Sequence, residues 1–393
     1  MRILCCSTQA PLPPINGYRL QLIHLSRELA RRHEVCALSF QGPDQDGEAP
    51  PGVELLRVRA PAWTRSRRIS AYAQSLVNGQ PRRAVRLGPP MAEEVRSLLA
   101  KRAFDVAHVT PGSLAGVATE LDEVPRVLAP IDAWHLNLEA DALVAPPYLR
   151  PFYRLEARRV RRFAARAYRA FQRVVVVSQE DADALSQLDP GLALEVIPNG
   201  VDSERFAPNG QVVPEGGHIV FTGAMGWAAN VTAARSLALE VLPQVRARRP
   251  DAHLSLVGRE PRPEVLALDR GEGVHVTGEV PDVRPWLWRA QVYACPMMSG
   301  TGIKNKLLEA LACGSPCVAS PLSRQGTELE HERDLLVADG PDETAEAIVR
   351  LLEDAGLRAR LARAGREYVV DRHSWASVAR EFERVYAEAG AGS

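Results

Sequence analysis

The stretch SGTGIKNKLLEALACGSPCVAS, residues 299–320, carries the residue types best suited to gripping an anion. A glycine-bearing loop follows a strand-like run and opens a helix. The backbone N–H groups of Thr301, Gly302 and Ile303 are expected to point out of that helix start, where the dipole favours negative charge by about 0.3–2 kcal/mol. A diphosphate fits such a place. Lys304 and Lys306 follow at once, and they are two of only three lysines in a chain with 45 arginines, the other being Lys101. Lysine kept where nearly every other cation is arginine points to a compact point charge rather than a planar fork, and a phosphate is the natural target. A pair of solvated first-turn lysines is the competing reading. Glu309 lies three residues after Lys306, about one helical turn, so the two share a face. A carboxylate there can accept two hydrogen bonds from a ribose diol; otherwise it is a plain surface glutamate.

These residues need a scaffold, and the periodicity supplies one. MRILCC reads as a short buried strand, PLPPINGYR as a loop, LQLIHLSRELARR as an amphipathic helix with Leu22, Leu25 and Leu29 on one face, and HEVCALSF as a second strand. That unit begins a parallel sheet. Further strands follow at VELLRVR, DVAHVT, RVLAPID and RVVVVS, and LEVIPNGVD leads into a Pro- and Gly-rich linker around APNGQVVPEGG. The pattern then restarts with HIVFTGA, HLSLVG, VHVTG, VYACP and PCVAS, interleaved with helices. The fold class is therefore α/β, with two doubly wound, Rossmann-like halves. In such sheets ligands sit at the carboxyl ends of strands, so a crevice between the two is the expected site.

Composition agrees with two domains. The chain has 393 residues, 46% hydrophobic and 24% charged, the balance of a globular protein. No run approaches the ~20 apolar residues of a membrane helix, and MRILCCSTQAP is too short and polar for a signal peptide, so a cytoplasmic location is expected. The six cysteines lie in apolar text and read as reduced core residues. Net charge is zero, with 27 Lys+Arg against 23 Asp+Glu in residues 1–208 and the reverse sign after them. So mild an asymmetry argues against nucleic acid as a partner.

Several segments together resemble glycosyltransferase family 4. The loop–helix GTGIKNKLLEA is similar to the family's donor-binding motif. VIPNGVDSERFAP looks like its interdomain hallmark, VVVVSQEDADAL matches the strand and helix before that, and PPINGYRLQLIHLSRELARRHEV resembles its first loop and helix. FTGAMGWAANV with GTGIKNKLLEA is closest to a bacterial sugar-transferase subgroup. The resemblance implies the GT-B fold: an acceptor-binding domain over 1–208, a nucleotide-sugar-binding domain over 209–372, and a final helix, 373–393, crossing back to the first. It implies an enzyme that moves a sugar, with retention of configuration, from a nucleoside diphosphate sugar to an unidentified acceptor, a saccharide, lipid-linked glycan or small natural product. No metal and no other cofactor is expected. A nucleotide-sugar epimerase of the same fold, or a degenerate non-catalytic partner of an active transferase, are the alternatives.

Carried over by position, Glu309 is the second acid of the family's E-x7-E motif and holds the donor ribose. The first acid falls on Thr301, and the usual arginine and lysine after the first strand of the second domain fall on Ala224 and Ala229, leaving Lys304 and Lys306 as substitutes. Gly17 in the first loop lets the backbone approach the donor phosphates or the acceptor, with Tyr18 and Arg19 following it; Gly223 has the same role across the cleft. Val280 sits where the family holds the nucleobase, and Arg259 is within reach of the donor. Asp132 and His135, after strand RVLAPI, are the favoured catalytic or sugar-orienting groups of the first domain, ahead of His108 and Thr110; Lys306 assists the departing phosphate. Asp44 with Asp46 and Asp181 with Asp183 read as loop and helix-start acids, not metal ligands. Residues 150–173 hold nine arginines and one acid among five aromatics. They are a candidate for peripheral contact with the inner membrane face or with a phosphate-bearing acceptor; the plainer reading is a solvated helix face.

Overall fold

The structure, a computed structural model, describes residues 1–10, 17–41, 49–59, 64–269, 271, 273–300 and 303–391. Contacts divide the chain into two units, Met1–Asn199 with Val378–Ser393, and Gly200–Ser377. The division falls ahead of the Pro- and Gly-rich segment in which composition places the linker. The cause is local: the Val201 N–H donates to the His373 carbonyl at 2.6 Å. Beside it, the Trp375 ring lies 2.8 Å from where a Cβ on Gly200 would stand, so only glycine fits there.

The first unit is built on a seven-stranded sheet. Its strands are β1 (Arg2–Ser7), β2 (Glu34–Gln41), β3 (Val53–Arg59), β4 (Val106–Thr110), β5 (Arg126–Ile131), β6 (Arg173–Val176) and β7 (Leu194–Val196). They pair in parallel in the order β3-β2-β1-β4-β5-β6-β7. Strands covered on both faces must be apolar throughout, which is why these runs read as continuous hydrophobic text. Leu4, Cys6, Val109 and Leu128 join Met91 and Phe163 from the flanking helices in one core. The helix Trp375–Ala391 contributes Phe382 and Tyr386 to this unit, both fully buried. It is separated at Ser374 from the helix Ala355–His373, so His373, where the sequence reading starts the final helix, ends the preceding one.

The second unit repeats the plan with six strands. They are β8 (His218–Thr222), β9 (His253–Val257), β10 (Val274–Gly278), β11 (Val292–Cys295), β12 (Cys317–Ala319) and β13 (Leu336–Val337), all parallel, in the order β10-β9-β8-β11-β12-β13. The two-residue β13 is too short to leave a periodic signal. All six cysteines are buried and free. Among the described residues no helix is long and apolar enough to cross a membrane.

In each sheet the strand order reverses once, between β1 and β4 in the first unit and between β8 and β11 in the second. Carboxyl ends of strands flanking such a reversal leave a crevice that no connection fills. At the second reversal the chain is unusually tight. Gly258, just after β9, has φ +151°, and a Cβ there would stand 1.7 Å from the Gly223 carbonyl oxygen. Gly258→Ala is expected to cost about 2–5 kcal/mol through left-handed strain and overpacking, read as a lower denaturant midpoint.

Candidate functional site

At the carboxyl end of β8, next to the reversal, the structure brings Gly223 and Lys306 together. A Cβ on Gly223 would lie 2.8 Å from the Lys306 ammonium and 2.8 Å from the Asn230 amide nitrogen. Lys306, from the helix Asn305–Ala312, is half-buried. Its ammonium donates to Asn230 Oδ1 and lies 3.9 Å from Met297 Sδ and 4.7 Å from the centre of the Phe221 ring. Burial pushes its pKa down, and the neighbouring Lys304 charge adds to that. Lys304, buried at the cap of the same helix, donates to the Gly300 carbonyl at 3.0 Å. Two cations are thus held where the loop after β11 turns into a helix, an arrangement that attracts an anion.

Glu309 lies on the same helix. Burial raises its carboxyl to about 7, with the Arg205 and Lys306 charges drawing it back only in part. A buried carboxyl with an unmet need for donors suits a diol, whose two O–H groups satisfy an ionised carboxylate. Asn230, which sequence reasoning left without a role, is buried and anchors the cluster: its amide N–H donates to the Ala224 carbonyl at 2.9 Å while its oxygen accepts a hydrogen bond from the Lys306 ammonium. The only signal for it was its place in the FTGAMGWAANV run. Ala224 and Ala229 bring no cation of their own to the cluster, and Ala229 is buried.

Other expected donor residues are scattered around this cluster. Ile303 packs on the second core, 2.9 Å from the Cβ position of Gly326, and Val280 is half-buried against the same core. Arg259 is exposed, its carbonyl accepting from the Met225 N–H. Thr301 and Gly302, together with Asp44 and Asp46, lie outside the described residues.

The first unit has its own crevice. A cavity of about 280 Å³ at the carboxyl ends of β1, β4 and β5 is lined by Gln9, Tyr18, Arg83, Asp132, Trp134 and Asn137, among others. Gly17 opens the helix Gly17–Ala30, which carries Tyr18 to this cavity. The Tyr18 hydroxyl accepts from the Thr8 N–H and donates to the Thr110 carbonyl, tying the ends of β1 and β4 together. Arg19 is buried instead and donates to Gln9 Oε1. Asp132 accepts from Asn137 Nδ2 at 2.8 Å; burial raises its pKa, against that hydrogen bond. Ile131, just before it, holds φ +78°, a conformation that costs a β-branched residue about 1–3 kcal/mol and that clusters at functional sites.

Its expected partner is elsewhere. His135 is 2% exposed, with Nδ1 unpartnered, and does not line the cavity. His108 is a core histidine, hydrogen-bonded to Tyr386 at 2.8 Å and pushed down to about 4 by burial; Thr110 is buried too. Asp181 caps its own helix through Ser178 and accepts from the Ala133 N–H, and Asp183 accepts from Gln179. Among the described residues, Glu215, His218 and His253 bring ligand atoms within 4.8 Å of one another at the amino ends of β8 and β9, away from the reversal. Their two imidazoles stack at 4.7 Å with planes 10° apart, and one ion cannot lie in two stacked ring planes.

The basic segment forms the helix Arg150–Ala167. Its single acid, Glu156, is buried with Arg159 and takes the Arg82 N–H. Arg154, Arg158, Arg162 and Arg166, spaced four apart, form an exposed stripe with no hydrogen bond or ion pair to any described residue.

Comparison with known proteins follows the same division. The profile described as "Glycosyltransferase Family 4" matches residues 15–205, and that described as "Glycosyl transferases group 1" matches 216–354. The chain is 30% identical over 324 residues to a phosphatidyl-myo-inositol mannosyltransferase of Mycolicibacterium smegmatis, covering 78% of each. It is 30% identical over 217 residues, 49% of this chain and 56% of the relative, to a GDP-mannose-dependent alpha-(1-6)-phosphatidylinositol monomannoside mannosyltransferase of Mycobacterium tuberculosis. Among solved structures, HepE from Anabaena in complex with UDP superposes with a TM-score of 0.64 at 17% identity, over 98% of this chain and 100% of that one.

The raised Glu309 carboxyl has a stability signature. Folding holds its proton between the ordinary glutamate value and about 7, so the native state loses stability as pH rises through that window. Glu309→Gln removes this penalty. Its melting temperature is expected to exceed the wild type's at pH 8, with the gap closing by about pH 5.

Proposed function

Because the chain belongs to glycosyltransferase family 4, with the GT-B fold of that family, we propose that it takes its sugar from a nucleoside diphosphate sugar and transfers it with retention of configuration. The observation that carries this reading is the half-buried Lys306, its ammonium set against Gly223 and Asn230, with Glu309 on the same helix. Lys306 and Lys304 face the diphosphate; Glu309 takes the ribose hydroxyls. The acceptor oxygen bonds to the anomeric carbon as the sugar–phosphate bond breaks. The electron pair leaves on the nucleoside diphosphate, and the acceptor proton passes to one of its oxygens. Charge grows on the leaving phosphate, and a fixed ammonium in a water-poor setting stabilises it without reorganisation. Neutralisation by lysines makes the transfer independent of a divalent ion. The mannosyltransferase relatives support mannose as the sugar and guanosine as the nucleoside.

The arginine stripe of Arg150–Ala167 extends this reading to a surface. Four exposed cations on one face, with Tyr148 and Leu155 exposed nearby, suit peripheral contact with an anionic membrane. Replacing all four by glutamate is expected to abolish cosedimentation with phosphatidylglycerol vesicles, at roughly 1 kcal/mol per lost charge, while leaving nucleotide binding intact.

The donor reading is tested by a thermal-shift panel of GDP, UDP, ADP, dTDP and CDP, with and without a chelator. GDP is expected to stabilise the protein in both conditions, and Lys306→Ala to weaken its binding by about 1.5–3 kcal/mol, the worth of a charge-assisted bond. Absence of a shift with every nucleotide would sink the proposal.

A further inference from the structure

The second unit has a cavity of about 290 Å³ at the end of its sheet opposite Lys306. Gln291 stands just before β11, and Ser315 with Pro316 just before β12, so the cavity lies at the amino ends of those strands. Its walls are apolar and stiff. Pro208, Val212, Pro214, Trp288 and Pro316 supply most of them, and Ala359 lines it from the helix Ala355–His373. The Trp288 ring is pinned: its Nε1–H donates to the Ala207 carbonyl at 2.7 Å, and the Arg284 guanidinium lies 5.6 Å from the ring centre. Gly314 holds φ +74°, and a Cβ there would lie 3.2 Å from Pro208 Cγ, so the turn before β12 packs directly on the proline. Walls held this firmly favour a flat, rigid guest, which loses little freedom on binding.

The polar groups in the lining offer mostly N–H. The Asn209 amide oxygen accepts the Gln211 N–H at 3.0 Å and the Gln291 amide oxygen accepts the Gly217 N–H at 2.8 Å, which leaves the NH2 group of each side chain. Arg358 commits Nη1 to the Leu351 and Leu352 carbonyls. Among the described residues nothing takes its Nε and Nη2, the paired edge that suits two carboxylate oxygens. Arg358 is half-buried; burial lowers its pKa, and the Asp354 charge offsets that only in part. Arg249, whose charge adds to the lowering, has Asp251 as its own partner at 2.8 Å.

One undercompensated cation calls for one negative charge. A neutral amide leaves Arg358 unanswered, an amine meets groups that donate as it does, and a phosphate dianion brings a second charge among apolar walls. A ring bearing a single carboxylate meets every part of the lining, with oxygens for the N–H groups and a flat apolar body for the prolines and the indole. The volume, near the lower end for ligand pockets, admits one ring and no larger body.

We infer that this cavity is a binding site for a small aryl carboxylate, Arg358 taking the carboxylate side-on and Asn209 and Gln291 donating to its remaining lone pairs. The site is separate from the cluster of Lys306 and Glu309 and does not depend on the donor reading.

Saturation-transfer NMR and titration calorimetry on the full chain test it with phenylacetate, 2-phenylacetamide, phenethylamine, phenyl phosphate and acetate. Phenylacetate is expected to bind about tenfold or more tighter than 2-phenylacetamide, the ratio set by one charge-assisted contact. Phenyl phosphate and acetate are expected to bind more weakly than phenylacetate, and phenethylamine not at all. Arg358→Gln is expected to erase the preference for the acid over the amide. Arg358 also holds two carbonyls at the end of the helix Gly340–Glu353, so a second variant guards against a mere loss of stability. Ala359→Phe, at an exposed position, fills the cavity and is expected to abolish phenylacetate binding with an unchanged melting temperature. Equal affinity for the acid and the amide, phenyl phosphate or acetate binding as tightly as phenylacetate, no binding of phenylacetate, or binding indifferent to Ala359→Phe each overturn the inference.

Discussion

A lysine ammonium pressed against a glycine sets the terms for everything around it. Lys306 lies where the first side-chain atom of any other residue at 223 would have to go, and Gly223 in turn has the Gly258 backbone against its carbonyl. Three chain segments, the ends of β8 and β9 and the first turn of the helix Asn305–Ala312, therefore converge with no side chain between them. The ammonium's direct partners are an amide oxygen, a thioether and a ring face, none of which is an anion. The protein holds the cation ready and withholds the countercharge. An anion brought to this place would supply a countercharge and draw the depressed lysine back toward its ordinary value.

The same logic of strand ends governs the first unit. Parallel strands must be joined by crossovers, and where the order reverses the crossovers diverge, so the carboxyl ends there are left open. Tyr18 closes the bottom of that opening by bonding the ends of β1 and β4, and β5 ends in a strained residue that turns Asp132 inward. The opposite, amino ends of the second sheet carry the stacked His218 and His253, a packing feature remote from the reversal.

How much of this could be read from the amino-acid sequence depends on the range of the interaction. Every strand from β1 to β12 except the short, partly exposed β7 announced itself as an apolar run, because parallel sheets covered on both faces need such runs. Lys306 and Glu309 were legible from residue type and helical spacing. Asn230 was not, since its partner Lys306 is 76 residues away and nothing in an isolated asparagine betrays a buried anchor. His135 and Asp132 looked alike at the end of β5; only Ala133 and the first helical residue, Trp134, separate a side chain that lines the cavity from one that turns into the core. His108 needed Tyr386 to be seen as structural. Arg83 was hidden among forty-four other arginines, and only its place in the lining of the first unit's cavity sets it apart.

The bond between His108 and Tyr386 spans 278 positions of chain. The first unit is thus interrupted in sequence, its core awaiting a helix that follows the whole of the second unit. During synthesis the sheet of β1 to β7 leaves the ribosome with the groove for Phe382 and Tyr386 uncovered, and it stays so until the helix Trp375–Ala391 emerges. Vectorial folding would leave an apolar slot open for most of translation. The order of events is then second unit first to completion, and the seal on the first unit last.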